Sequence, residues 1–379
     1  MKIIASGTVS KAQPGTRRAM LTFPSVICLQ NGTLLTAYRA GTDKDSADAT
    51  IEFVRSDDGG QSWGKPWQPF TNPAIDGRRG TLRVCYLTEI EPGHLLAAAL
   101  WVDRTTYPDQ PLFNAQTEGC LPMAVLLADS HDQGTSWSAW RAVPMDVPMD
   151  VPMDEPVGPP SLTGPILKLA DGSLAMSIET NKEYLDHSTW MQKAIFLRST
   201  DQGHSWSEPG IAGSDPTGRI FNWDLRCGVA PDGRVVTFAW TYDSLDARYL
   251  NIRRRISRDQ GRSWTEAEDL GFADQPARPA IRPDGSIILA YVDRFQSRTI
   301  RARWAPTIER PFEPTDEVVL YTHTGAAGQD ESTGELLSEM NVWSFGLPYA
   351  EPLPDGDVLV VYYAGNIEGM DIHWARLRT

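Results

Sequence analysis

One eight-residue pattern recurs four times and constrains the architecture of this chain more than any other feature. It reads S-x-D-x-G-x-S-W at Ser56–Trp63, Ser130–Trp137, Ser199–Trp206 and Ser257–Trp264. Each residue type in it has a local structural use. Asp and Ser side chains hydrogen-bond the backbone of a tight turn, and Gly reaches a conformation barred to residues that carry a Cβ. Trp offers a large apolar face to pack beneath a neighbouring strand. The carboxylates of the pattern are therefore read as turn formers, not as catalysts.

A second pattern sets the count of repeating units. Apolar runs are broken by two-residue turns at Asn31-Gly32, Pro92-Gly93, Asp171-Gly172, Asp232-Gly233, Asp284-Gly285 and Asp355-Gly356. Asn-Gly and Asp-Gly are the commonest signature of a tight β-hairpin. Strand-like runs follow them, such as Thr33–Tyr38, Leu95–Val102, Val235–Trp240, Ile287–Val292 and Val358–Tyr363. In the first four units the Asp of the turn pattern follows the hairpin Gly by 26, 39, 29 and 26 residues. In the fifth unit it is due near Pro311 and is absent; in the sixth it would fall beyond Thr379.

Six hairpins predict an all-β chain folded as a six-bladed β-propeller, with residues 1–379 as a single domain. The sixth blade has only three strands of its own. The N-terminal run Lys2–Val9 is predicted to supply the fourth, which closes the ring and removes its exposed edges. The 13 Trp, 28 Pro and 31 Gly suit short strands joined by tight turns. Between the second and third units, Val143–Asp154 reads VPMD three times, and proline at every fourth residue predicts a surface loop there.

Charge and composition exclude several functions. A net charge of −14, from 35 basic and 49 acidic side chains, argues against binding to nucleic acid or an anionic membrane. No apolar run of about 18 residues is present, and the N-terminal apolar stretch is too short for a secretory signal. The chain reads as cytoplasmic, or as secreted where a leader has been removed. Cys28, Cys85, Cys120 and Cys227 lack metal-type spacing and read as reduced thiols. No metal and no cofactor is expected, and the expected partner is a small-molecule or oligosaccharide substrate.

In a propeller, residues just before each first strand and just after each second strand rim one end of the central channel. In the first two units those places hold Arg17, Arg18, Arg39, Asp43, Asp45 and Asp48, then Arg78, Arg79, Arg83, Trp101, Asp103 and Arg104. The third offers Glu179, Lys182, Tyr184 and His187, and the fourth Asn222–Arg226, Trp240 and Tyr242. The last two add Gln275, Arg278, Asp293 and Arg294, then Trp343, Tyr349, Tyr362 and Tyr363. Arg clamps a carboxylate through paired hydrogen bonds, aromatic rings stack on a pyranose, and paired carboxyl groups supply acid and base. Such a rim suits a sugar, and an acidic one above all. Asp224 and Arg226, two apart on a strand, are expected to share one face.

The turn patterns are the Asp-boxes of the sialidase superfamily, and with the hairpins they make the chain resemble that superfamily over nearly its whole length. The resemblance implies an Arg-Ile-Pro motif at Thr22-Phe23-Pro24, where the proline is kept and the arginine lost. It implies an acid/base Asp at Asp48, with Asp45 as runner-up, and a nucleophilic Tyr near Leu347, for which Tyr349 is the nearest candidate. Arg226 and Arg278 would be two arginines of a carboxylate-binding triad, with Arg17 or Arg18 replacing the first.

The leading expectation is an exo-acting glycoside hydrolase on an acidic or modified sugar. Its catalytic residues would be Asp48, Glu179, Asp224 and Tyr349. Substrate would be bound by Arg18, Arg39, Arg226, Arg278, Tyr184, Trp240, Gln275 and Trp343. A polysaccharide lyase using Tyr184, His187 and Arg226 on a uronate is the alternative, and a non-catalytic glycan-binding propeller is the third.

Overall fold

A computed structural model describes residues 1–145, 158–324 and 343–379; residues 146–154 of the VPMD repeats lie outside them. Each predicted hairpin dipeptide sits where the chain reverses. Gly32, Gly93, Gly172, Gly233, Gly285 and Gly356 have φ between 79° and 88°, the left-handed region such turns require.

The reversals build successive antiparallel meanders. The first comprises Met20–Cys28, Leu34–Gly41 and Thr50–Ser56. The second runs Arg78–Glu91, His94–Asp103 and Met123–Ser130, with Arg141–Ala142 at its edge. In the third, Ser161–Leu162 and Leu167–Lys168 pair with Leu174–Glu179, followed by Lys193–Ser199 and Ser207–Ser214. The fourth is Ile220–Val229, Val235–Asp243, Arg253–Ser257 and Glu268–Asp269. In the fifth, Gln275–Pro276 and Ala280–Ile281 pair with Ile287–Asp293, ahead of Thr299–Ala305 and Glu317–Thr322. The sixth is Phe345–Pro352, Val358–Gly365 and Met370–Arg378.

The N-terminal strand Lys2–Ser10 pairs antiparallel with Met370–Arg378, from Lys2 opposite Arg378 to Ser10 opposite Ile372. A parallel pairing of Met20 with Met370 joins the sixth and first meanders into one seven-stranded sheet. No α-helix occurs among the described residues, which hold one 3-10 turn at Pro314–Asp316.

The four Asp-boxes share one hydrogen-bond scheme. In the first, the Ser62 N–H donates to Asp58 Oδ1 at 2.9 Å and its hydroxyl to Oδ2 at 2.5 Å. The Ser56 hydroxyl donates to Asp58 Oδ1 at 2.8 Å and accepts from the Gly60 N–H at 3.0 Å. Asp132, Asp201 and Asp259 repeat these contacts within their own boxes. Two box tryptophans pack on the preceding meander: Trp137 meets Phe53 at 5.9 Å and Trp264 meets Phe196 at 5.4 Å between ring centroids.

The fifth meander, which lacks the box, is held from outside. Buried Arg254 donates to the carbonyls of Ile308, Glu309 and Arg310 at 2.8, 2.9 and 2.9 Å, and its other face pairs with Glu268 at 2.6 Å. A guanidinium thus does for this turn what an Asp and two Ser do for the others. Cys85, Cys120 and Cys227 are buried thiols in the core, and Cys28 is half-buried.

Candidate active site

Four first strands break their register at the same level. Pairing shifts between Thr22 and Ser25, Leu82 and Val84, Trp223 and Arg226, and Gly346 and Tyr349. Such β-bulges place an extra residue outside the ladder and re-aim its side chain. The residues inside the bulges include Phe23, Arg83, Asp224 and Leu347, and all four line one cavity of about 130 Å³. Phe23, Asp224 and Leu347 hold φ of 54°, 48° and 40°, a conformation costly for residues with a Cβ.

On one wall of the cavity, Glu179 ends the strand Leu174–Glu179 and Asp224 projects from the neighbouring bulge. Glu179 is buried, and its Oε1 accepts the Leu225 N–H at 3.2 Å. Burial, and next the Asp224 carboxylate, push the Glu179 carboxyl well above the usual carboxylic range. Asp224 is held by two donors. Gln275 Nε2 donates to its Oδ2 at 2.5 Å, and Arg226 Nη2 lies 3.1 Å from its Oδ1. Burial and the neighbouring carboxylate thus favour the protonated form of Glu179. Arg226 also donates to the Tyr86 hydroxyl at 3.2 Å and to the Thr163 carbonyl, which aims it into the cavity.

Cations line the rest. Arg294 donates to the Phe345 carbonyl at 2.8 Å and to Gln275 Oε1 at 3.0 Å, with its guanidinium 4.1 Å from the Trp343 ring centroid. Gln275 thus links Arg294 to Asp224, which fixes the orientation of its amide. Arg83 donates to Asp45 at 2.7 Å and lies 4.8 Å from the Phe23 ring centroid. Buried Lys44 donates to the Trp343 carbonyl at 3.0 Å. Trp190, Trp223 and Trp240 complete an aromatic wall, with Trp223 stacked on Tyr242 at 4.9 Å.

Of the residues expected from the sequence, the structure brings Glu179, Asp224, Arg226, Gln275, Trp240 and Trp343 to this cavity, together with Arg83, Trp223, Arg294 and Tyr363 of the wider rim. It does not bring Asp48. That carboxylate sits on the loop after Leu34–Gly41, accepts from Thr42 at 3.0 and 3.2 Å and lies 3.8 Å from Arg17. Desolvation, the largest single influence, opposes ionisation there, but the hydrogen bonds from Ser46 and Thr42 and the charge of Arg17 together outweigh it, so its pKa lies below the usual value. Asp45 turns away to bind Arg83, Arg104 and the Leu112 N–H.

Tyr349 is also elsewhere, because the bulge at 346–349 breaks the alternation that would have set it on the face of Leu347. Leu347 reaches the cavity, while Tyr349 stacks on Tyr86 at 6.0 Å and lines a separate depression with Arg278 and Glu351. Arg278 pairs with Glu351 and donates to the Ala350 carbonyl at 2.9 Å. Arg18 is taken by Glu52 and Ser10, both at 2.9 Å. Arg39 is buried and donates to the carbonyls of Asp43, Lys44 and Ser46. It shapes the loop without entering the cavity. Tyr184 packs on Tyr107 at 4.7 Å, and His187 is exposed. Asp224 and Arg226 both reach the cavity, but through a bulge and not through the two-residue alternation expected of them.

Lys44, Tyr86 and Trp190 were not among the rim candidates, although all three line the cavity. Tyr86 lies mid-strand within an apolar run, and nothing in its neighbourhood distinguishes it from a core tyrosine. Lys44 stood in view between Asp43 and Asp45, hidden by the expectation that this loop delivers a carboxylate. Among the described residues, no group of three or more His, Cys, Asp or Glu side chains is placed to hold a metal ion.

A family model described as a BNR repeat-like domain matches residues 32–292. No curated protein matches the chain. Among solved structures, a protein of unknown function from Dyadobacter fermentans is similar over 99% of both chains, at 22% identity and a TM-score of 0.72. The Hadza microbial sialidase is similar over 98% of this chain and 68% of its own, at 16% identity and a TM-score of 0.68. The intramolecular trans-sialidase of Ruminococcus gnavus, solved with oseltamivir carboxylate, is similar over 100% of this chain and 98% of its own, at 14% identity and a TM-score of 0.64. At these identities the likeness is one of fold: all-β, of the sialidase kind.

Proposed function

We propose, on the premise that the chain belongs to the BNR repeat-like domain family, that it is a six-bladed β-propeller closed by its N-terminal strand and that its cavity hydrolyses a glycosidic bond of an acidic sugar. The single observation that carries the catalytic half is the Glu179–Asp224 pair. Two carboxyl groups from adjacent meanders face a cavity lined by tryptophans and arginines, where burial, and next the Asp224 carboxylate, push the Glu179 carboxyl upward. A buried carboxyl that favours its protonated form is suited to act as the acid, and a neighbour held by a cation and an amide donor to act as the base. Glu179 gives its proton to the leaving glycosidic oxygen. Asp224, held between Arg226 and Gln275, stabilises positive charge at the anomeric carbon and takes a proton from the incoming water. Bond breaking at the sugar is thus matched by C–O bond formation to water, and the pair ends with its proton count restored.

The nucleophilic tyrosine that a sialidase resemblance implies has no counterpart at its expected place, since Leu347 fills that part of the wall. The substrate is accordingly drawn from acidic glycosides broadly, uronides as well as sialosides. Chromogenic sialosides and uronides assayed with wild type, Glu179→Gln, Asp224→Asn and Asp48→Asn test the reading. The two cavity variants are expected to lose about 10²–10⁴-fold in kcat/KM, with Asp48→Asn within about threefold of wild type. Turnover that survives both cavity substitutions but fails in Asp48→Asn refutes it. One observation favours a second reading, a lyase: the Tyr86 hydroxyl lies 3.2 Å from Arg226 inside the cavity. An ultraviolet-absorbing unsaturated product from a polyuronate would establish that chemistry instead.

A further inference from the structure

The turn that follows Ile287–Asp293 sends its first two side chains to different places. Arg294 enters the cavity, over Trp343 and onto Gln275, whereas Phe295 is 38% exposed. The backbone is fixed on both sides of Phe295. The Arg294 N–H donates to buried Asp274 at 2.9 Å. Asp293 accepts the Gln296 and Ser297 N–H groups at 3.2 and 3.3 Å and the Ser297 hydroxyl at 2.6 Å. Phe295 lies flat on Tyr249, with ring centroids 4.7 Å apart and planes 13° apart. Tyr249 stacks in the same way on Trp240, at 4.7 Å and 6°. Trp343 meets this row edge-on, 5.8 Å from Trp240 and 6.3 Å from Phe295. Trp240 and Trp343 line the cavity, Tyr249 is half-buried and Phe295 is exposed, so the row runs from the cavity to the surface. A single exposed apolar side chain needs no explanation. Phe295 differs in being the outer end of an aromatic row whose inner end lines the cavity.

We infer that Phe295 carries a second sugar of the substrate, a neutral pyranose linked to the acidic sugar in the cavity, and so selects oligosaccharides over simple glycosides. This rests on the reading of the cavity as an acidic-sugar site and deepens it by giving the neighbouring sugar a place. One face of a pyranose is a patch of C–H groups that an aromatic ring can cover while the hydroxyls at its edge stay in water. The arginines that suit a charged group, Arg83, Arg226 and Arg294, line the cavity, and Phe295 offers only an apolar face. The acidic ring therefore goes inward and the neutral ring outward. Because Asp274 and Asp293 hold the turn, and Tyr249 the ring, before any ligand arrives, little ordering cost is left for binding.

Hydrolysis of sialyllactose and of cellobiouronate, compared with that of methyl N-acetylneuraminide and methyl glucuronide, tests this. In the methyl glycosides a group too small to stack stands in place of the second sugar. Anion-exchange chromatography follows the acidic sugar released. Phe295→Ala is expected to lower kcat/KM about three- to tenfold on the oligosaccharides, mainly through KM, and to stay within about twofold of wild type on the methyl glycosides. Phe295→Leu, which keeps an apolar side chain against Tyr249 but no ring, should behave as Phe295→Ala does. Phe295→Trp should retain the preference for oligosaccharides. An equal loss on both kinds of substrate assigns the ring to packing and overturns the inference, as does oligosaccharide hydrolysis that Phe295→Ala leaves unchanged. Either result leaves the hydrolase standing. Where no glycoside is cleaved, isothermal titration with the same compounds takes the place of turnover. Oligosaccharides that bind several-fold tighter than the methyl glycosides in wild type, but not in Phe295→Ala, then uphold the platform while the hydrolase falls. Absence of both turnover and binding overturns the two together.

Discussion

Replacing Arg254 by methionine should destabilise the fold more than breaking any one Asp-box. Arg254 is 1% exposed and donates to three successive carbonyls of the turn at Ile308–Arg310. Hydrogen bonds from a charged donor are worth about 1.5–3 kcal/mol each, but Glu309 and Arg310 are exposed and water can reach their carbonyls once the guanidinium is gone. Only the Ile308 carbonyl, under a buried residue, stands to lose its partner outright. The expected cost is therefore about 2–3 kcal/mol, that of losing a charged hydrogen bond to a buried carbonyl. The partner Glu268 has a side chain 54% exposed, so its ion pair is screened and Glu268→Gln should cost under about 1 kcal/mol. Asp201→Ala, which removes the hydrogen bonds of an exposed box, should cost about 1–2 kcal/mol. Urea unfolding followed by tryptophan fluorescence orders the three variants through their midpoints at constant m-value. A cost for Arg254→Met below about 1 kcal/mol, or one matched by Glu268→Gln, refutes the idea that the guanidinium substitutes for the missing box.

Acid should act on the boxes themselves. Hydrogen bonds from the box Ser residues hold Asp58 and Asp132 at about 2, and they bring Asp201 to the same value against a desolvation cost. A carboxyl whose folded pKa is depressed stabilises fully above its unfolded value of about 3.9, and that contribution is lost as pH falls through the folded value. The melting temperature should accordingly drop between about pH 4 and pH 2, and a protein with all three changed to Asn should show a flatter profile in that window. An unchanged profile in the triple variant excludes these three boxes as the origin. Deleting residues 1–10 removes the partner of Met370–Arg378 and leaves that strand as an open edge. A fall in melting temperature of about 10 °C or more, with concentration-dependent association on size-exclusion chromatography, is expected. A monomer of unchanged stability would mean that the pairing contributes little.

The repeat was legible because its chemistry is local. An Asp-box closes within eight residues, and an Asp-Gly hairpin within two, so both can be read without knowing what lies across the sheet. The pairing of Lys2–Ser10 with Met370–Arg378 could be anticipated for a different reason: the sixth unit ran out of chain one strand short. The site was less legible. Glu179, Asp224, Arg226, Gln275, Trp240 and Trp343 were found because they flank strands at predictable levels. Arg18, Arg39 and Arg278 flank strands just as well, yet are taken up by Glu52, by loop carbonyls and by Glu351. Whether an arginine faces substrate or a structural partner depends on residues as distant in sequence as the 73 positions between Arg278 and Glu351. No local pattern carries that information.

The bulges explain the remaining errors and bear on what the cavity is for. Period-two alternation assigns each side chain to a face only while the ladder is continuous. At Phe23, Arg83, Asp224 and Leu347 it is not, and there a residue crosses from one side of the strand to the cavity. Three of these four residues hold a positive φ without being glycine, which costs each of them on the order of 1 kcal/mol or more. A propeller needs no such distortion to pack, and Leu174–Glu179 pairs with Lys193–Ser199 without a break. Other pairings are shifted too, as between Ala194 and Ile195 or Ile300 and Arg301, but these four bulges are the ones whose residues converge on a cavity. One of them sets the Asp224 carboxylate against Glu179, and another replaces an expected tyrosine by Leu347. Gln133, Gln202 and Gln260 hold a positive φ as well, but within the Asp-box turns they close, whereas Phe23, Asp224 and Leu347 carry theirs into the cavity, the part of the chain we read as shaped for chemistry.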